Sequence, residues 1–149
     1  MNKIILLVED NASDEKLTLL AFKQSGLANE IVVVRDGAAA VEYLLPSAAP
    51  TDRAPVPRPS LVLLDLNLPK LSGLEVLRRL RADDRTRLLP VVVLTASKEE
   101  EDVLGSYQLG ANAYVRKPVA FAEFAAAART VGMFWLLLNE PVPATRGPS

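Results

Sequence analysis

Four apolar runs of strand length punctuate the chain: Ile4–Val8, Ile31–Val34, Leu61–Leu64 and Val91–Leu94. They are rich in Val, Ile and Leu, and no polar residue alternates through them. Uninterrupted apolar strands fit a parallel sheet covered on both faces. A fifth, weaker run spans Ala113–Val115.

Helical spacing separates the runs. Leu17, Leu20 and Ala21 share a face in the first interval, and Gly37–Leu45 predicts a short second helix. Leu74, Leu77 and Leu80 line a third, with Arg78, Arg79 and Arg81 on its other faces. Val103, Leu104 and Tyr107 mark a fourth, and the last runs from about Ala120 to Leu138. Ser72 with Glu75, and Ser97 with Glu100, have the spacing of capping boxes. The order is βα repeated five times, which predicts an α/β fold with right-handed crossovers and helices on both faces. Residues 46–60 hold five prolines and predict an extended loop before the third strand, and residues 139–149 predict a loose tail.

The chain has 149 residues, a length that suits one domain. Its net charge of −1 gives no electrostatic case for nucleic acid or an anionic membrane as partner. The absence of Cys and His excludes disulfides, thiolate chemistry, Ser-His-Asp catalysis and most transition-metal sites. A hard cation on oxygen ligands remains open. The apolar stretch after Met1 is too short for a signal-peptide core, so a soluble cytoplasmic protein is expected.

In open α/β sheets, ligands bind beyond the carboxyl ends of the strands. The residues just past those ends are Glu9-Asp10, Asp65-Leu66-Asn67, Thr95-Ala96-Ser97 and Lys117-Pro118. Three carboxylates, a hydroxyl and an ammonium should therefore meet at one rim. Taken singly, each is an ordinary strand end, turn or helix cap. Together they suit a divalent cation that relieves carboxylate repulsion, an Asp nucleophile toward phosphorus, and positive charge for the phosphoryl oxygens.

These residues resemble the receiver domain of bacterial two-component response regulators. The resemblance spans about Lys3 to Leu138 and rests on Ile4-Ile5-Leu6-Leu7-Val8-Glu9-Asp10, LLDLNLPKLSG at 63–73, VVVLTAS at 91–97 and AYVRKP at 113–118. It implies a flavodoxin-like five-stranded sheet of order 2-1-3-4-5 with five helices, a receiver domain over 1–138 and no output domain. It implies Asp65 as phosphoacceptor, with Glu9, Asp10, Asp65 and the Asn67 backbone carbonyl around Mg²⁺, or Mn²⁺ in its place. Thr95, Ala96, Lys117 and Tyr114 would bind the phosphoryl group and couple it to the fourth helix, fifth strand and fifth helix. Gly73 and Pro118 match structural positions, the second usually following a cis peptide. The phosphodonor would be the phosphohistidine of a sensor kinase, since this chain has no His. The protein would be a switch rather than an enzyme with a substrate of its own.

A narrower resemblance lies in the proline-rich loop, GSYQLGANAYVRKPV at 105–119 and Met133-Phe134-Trp135-Leu136. These are similar to single-domain regulators paired with phytochrome kinases. Residues 131–138 are apolar all round, more than one buried stripe requires. A homodimer through this region is expected, with Phe134, Trp135 and Leu138 as interface residues; the phytochrome-linked regulators are similar in using this region to dimerise. The downstream partner is another, unidentified protein. Two alternatives differ in class. A pseudo-receiver would bind partners without taking phosphate, against the complete set of Glu9, Asp10, Asp65, Thr95 and Lys117. A haloacid-dehalogenase phosphatase would want an acid two residues after its nucleophile, where this chain has Asn67. Its glycines form no phosphate-binding loop pattern.

Overall fold

The computed structural model describes residues 4–24, 29–46, 58–96, 99–117 and 121–135. Strands β1 (Ile4–Val8), β2 (Glu30–Val34), β3 (Leu61–Leu64), β4 (Val91–Thr95) and β5 (Ala113–Arg116) alternate with helices α1 (Ala12–Gln24), α2 (Gly37–Leu44), α3 (Gly73–Ala82), α4 (Glu100–Gln108) and α5 (Phe121–Met133). The strands form one parallel sheet of order β2-β1-β3-β4-β5. The expected fold and strand order are both present.

Alternate residues of the central strands supply two cores. Leu6, Val8, Val62, Leu64, Val91 and Val93 pack with Ala40 and Leu44 of α2 and with Val76, Leu77 and Leu80 of α3. On the opposite face Ile5, Leu7, Leu61, Leu63 and Val92 pack with Phe22 of α1, and Val131 and Trp135 close over them. Central strands buried on both sides explain the uninterrupted apolar runs. The flanking strands β2 and β5 are only half-buried.

Three helix readings are corrected. In α1 the core face is Thr18, Ala21 and Phe22, and Leu20 is exposed. Thr18 can be buried because its hydroxyl donates to the Asp14 carbonyl at 2.8 Å, so the helix turns its largest side chain, Phe22, onto the sheet. In α4 Leu104 and Tyr107 are exposed, and the buried residue is Ser106. Among the described residues its hydroxyl has no hydrogen-bond partner, so α4 gains little from the core beneath it. The cap of α4 is Glu99, with no side-chain hydrogen bond to the helix end, in place of Ser97. By contrast Ser72 caps α3 as expected, accepting from the Glu75 N–H at 3.2 Å, although Glu75 itself pairs with Arg78 and Arg79. Most of the 46–60 loop, Ser97, Pro118 with the peptide expected to be cis before it, Leu138 and the tail lie outside the described residues.

The approach of α3 to the sheet is set by Gly73. Its N–H donates to the Leu66 carbonyl at 2.9 Å, and a Cβ there would lie 2.2 Å from the Asp65 carbonyl oxygen. The helix propensity gained by alanine, about 1 kcal/mol, is smaller than the cost of displacing buried backbone, roughly 1–3 kcal/mol or more. Gly73→Ala should therefore lower stability in urea denaturation. An unchanged or raised midpoint would show that the loop yields freely.

Candidate functional site

Register delivers the polar residues to one rim. The Glu9 N–H donates to the Val34 carbonyl at 3.0 Å, the Asp65 N–H to the Val8 carbonyl at 3.1 Å and the Lys117 N–H to the Thr95 carbonyl at 2.7 Å. The sheet ladder thus runs one step beyond the strands and pins each functional backbone.

Asp65 stands at the centre. Its Oδ1 accepts from the Thr95 hydroxyl at 2.9 Å and from the Asn67 N–H at 3.2 Å. Its Oδ2 accepts from Lys117 Nζ at 3.0 Å. The same ammonium donates to Glu9 Oε1 at 2.5 Å and to Asp14 Oδ2 at 2.8 Å. The Lys117 side chain is 6% exposed and that of Glu9 1%. Removing such charges from water is unfavourable unless opposite charge lies beside them, and the Lys117 ammonium offsets part of the charge of the three carboxylates it bridges.

Titration follows from this arrangement. Burial pushes the Glu9 carboxyl from 4.5 up to about 7, opposed by its bond to Lys117 and reinforced by Asp65. Burial would raise Asp65 too, but the Lys117 charge and the bonds from Glu9, Lys117 and Thr95 outweigh it and hold Asp65 below its ordinary range. Lys117 is also penalised by burial, yet Asp14, Glu9 and Asp65 together raise it above its ordinary value. The outcome is a carboxylate kept ionised beside a cation kept protonated.

One carboxylate oxygen each from Glu9, Asp10 and Asp65 lies within 4.8 Å of the others. Three hard oxygen donors at a partly open rim fit Mg²⁺ or Mn²⁺, which keep several waters, and the ammonium already among them shows the demand for a cation. Asp10 is exposed, so an ion can reach it. The Asn67 backbone is drawn to the site by its bond to Asp65, and Ala96 is exposed just past Thr95. Tyr114 lies half-buried against the core under α2 and α3. Phe134 is exposed and stacks edge-on with Trp135 at 5.3 Å, whereas Trp135 also packs on its own core.

Two residues escaped the sequence reading. Asp14 projects from α1 onto Lys117, and only the phase of the helix places it there. At Gly37 a Cβ would lie 1.9 Å from the Leu71 carbonyl oxygen, so α2 and the loop after Asp65 touch backbone to backbone.

A model of the response regulator receiver domain matches residues 5–129. Response regulator Rcp1 of Synechocystis is 40% identical over 134 residues, 90% of this chain and 89% of its own. Its Mn²⁺-bound form has a TM-score of 0.83 at 38% identity, covering 95% of this chain and 99% of that one. The phosphorylated cyanobacterial phytochrome response regulator RcpA has a TM-score of 0.86 at 38% identity, with the same coverage of 95% and 99%. The bacteriophytochrome response regulator RtBRR is 52% identical, with a TM-score of 0.72 and coverage of 96% and 86%.

The raised Glu9 value generates a pH dependence. The folded state holds that proton more tightly than the unfolded chain, so its contribution to stability is present below about pH 4.5 and lost as pH rises through about 7. Asp65 and Lys117 are shifted out of this window, and the chain has no His. With metal chelated, the melting temperature should fall between pH 5 and 8, and Mg²⁺ should weaken the trend. A melting temperature that is flat or rises in chelator would contradict it.

Proposed function

The chain belongs to the response regulator receiver family, and from that premise we propose that Asp65 is its phosphoacceptor, taking a phosphoryl group from the phosphohistidine of a partner kinase. The observation that carries this reading is the set of bonds on one ionised carboxylate, from Thr95, Lys117 and the Asn67 backbone.

An Asp65 carboxylate oxygen attacks phosphorus and forms a P–O bond. The donor's P–N bond breaks, the imidazole leaves with the electron pair, and solvent supplies its proton. The product is an acyl phosphate on Asp65. Lys117 and Thr95, which hold the carboxylate beforehand, are within reach to donate to the phosphoryl oxygens. Glu9, Asp10, Asp65 and the Asn67 carbonyl would hold Mg²⁺, which supplies charge neutralisation for those oxygens. Movement of Thr95 toward the phosphoryl group frees space that Tyr114 can follow. The weakly seated α4, with Leu104 and Tyr107 exposed, then offers a changed α4-β5-α5 surface to a downstream protein.

The likeness to RcpA and RtBRR supports a phytochrome-type sensor kinase as partner, and hence a cytoplasmic setting. Among the described residues no helix is long and apolar enough to cross a membrane. Exposed Phe134 supports a homodimer through the end of α5.

Incubation with acetyl phosphate and Mg²⁺ should add the mass of one phosphoryl group. Asp65→Asn and chelator should each abolish the gain. Sedimentation of the same sample should give a dimer, reduced by Phe134→Asp. Labelling that persists in Asp65→Asn would move the phosphoacceptor elsewhere, and a wild-type monomer would remove the dimer. Transfer from a phosphorylated phytochrome kinase should outpace transfer from an unrelated one; equal rates would remove the phytochrome link.

A further inference from the structure

Lys117 has three N–H donors, and three different carboxylates take them: Glu9 Oε1 at 2.5 Å, Asp14 Oδ2 at 2.8 Å and Asp65 Oδ2 at 3.0 Å. On the function proposed above, on which this inference rests, two of these partners change during the reaction. Asp65 becomes an acyl phosphate, and Glu9 belongs to the oxygen set that fits a cation. Asp14 is outside that set and comes from α1 rather than from a strand end. We propose that Asp14 is a positioning residue for phosphoryl transfer, the tether that keeps the Lys117 amine over Asp65 while its other two partners change.

The local structure is built to hold Asp14 in place. Asn11 caps α1, its Oδ1 accepting from the Asp14 N–H at 3.0 Å while its carbonyl accepts from the Glu15 N–H at 2.9 Å. The cap is joined to the rim itself, because the Asn11 N–H donates to Glu9 Oε2 at 3.3 Å. On the other side the Asp14 carbonyl accepts from the hydroxyl of fully buried Thr18 at 2.8 Å. The backbone is thus fastened before and after the carboxylate. That carboxylate is 27% exposed, against 1% for Glu9 and 9% for Asp65, so it can hold an ammonium with less desolvation than either. A lysine on a flexible four-carbon stem needs such an anchor once the other oxygens are engaged. Orientation of a donor toward the reacting group is where a small displacement costs rate.

The test follows phosphorylation by acetyl phosphate over time by intact mass, across a Mg²⁺ titration, with melting temperature recorded for each variant. Asp14→Asn keeps the shape and removes the charge. Its maximal rate at saturating Mg²⁺ should fall about 10-fold, with half-saturating Mg²⁺ moving by less than about 3-fold. Asp14→Glu should regain part of the rate. Asp14→Asn as fast as wild type would overturn the proposal. So would a slowing that tracks a fall in melting temperature and that Asp14→Glu leaves unrelieved, which would make Asp14 structural only. A wild-type protein that takes no phosphoryl group from acetyl phosphate or from a phosphorylated kinase would instead remove the phosphoacceptor reading, and the tether with it.

Discussion

The structure turns on one ammonium among three carboxylates. A parallel sheet ends its central strands side by side, and this chain places Glu9, Asp65 and Lys117 at those ends, with Asp14 arriving from the first helix. Buried negative charges in such proximity would repel strongly in a medium of low dielectric. Lys117 offsets part of that charge and uses every donor it has. The acidic rim can therefore exist in a folded protein before any metal or phosphoryl group arrives.

The same arrangement makes the rim responsive. On the proposed function, phosphorylation would add negative charge at Asp65 and draw on the donors, Lys117 and Thr95, that already face it. The backbone around them is firm: sheet bonds hold Glu9, Asp65 and Lys117, and close backbone approach at Gly73 seats α3 against the Asp65 loop. The compliant part is α4, which buries a serine with an unpaired hydroxyl and leaves Leu104 and Tyr107 in solvent. A rigid site beside a loosely seated helix is a suitable layout for turning a local charge change into a change of surface.

Much of this was readable along the chain because the parallel sheet imposes simple demands. Strands buried on both faces must be apolar throughout, so the ranges of β1 and β3 coincide with their apolar runs, and β2 and β4 each extend their run by one residue, Glu30 and Thr95. Residues that follow such strands must lie at the carboxyl rim, which located Glu9, Asp10, Asp65, Thr95 and Lys117 before any distance was known. The helices were harder. Leu17, Leu20 and Ala21 suggested one face of α1, yet a threonine that satisfies its own hydroxyl turned the helix toward Phe22. That change of phase also carries Asp14 to Lys117, which no spacing of acidic residues announces. In α4 Val103 is half-buried but Leu104 and Tyr107 face solvent, so periodicity pointed largely to the wrong side.

The most direct test of this account is the stability of Lys117→Met in urea, measured with chelator and again with Mg²⁺. Methionine keeps most of the length of the side chain and removes the charge. If the ammonium neutralises the rim, the variant should lose roughly 3 kcal/mol in chelator and recover most of it in Mg²⁺. The same loss under both conditions, or none in chelator, would contradict the central role given to Lys117.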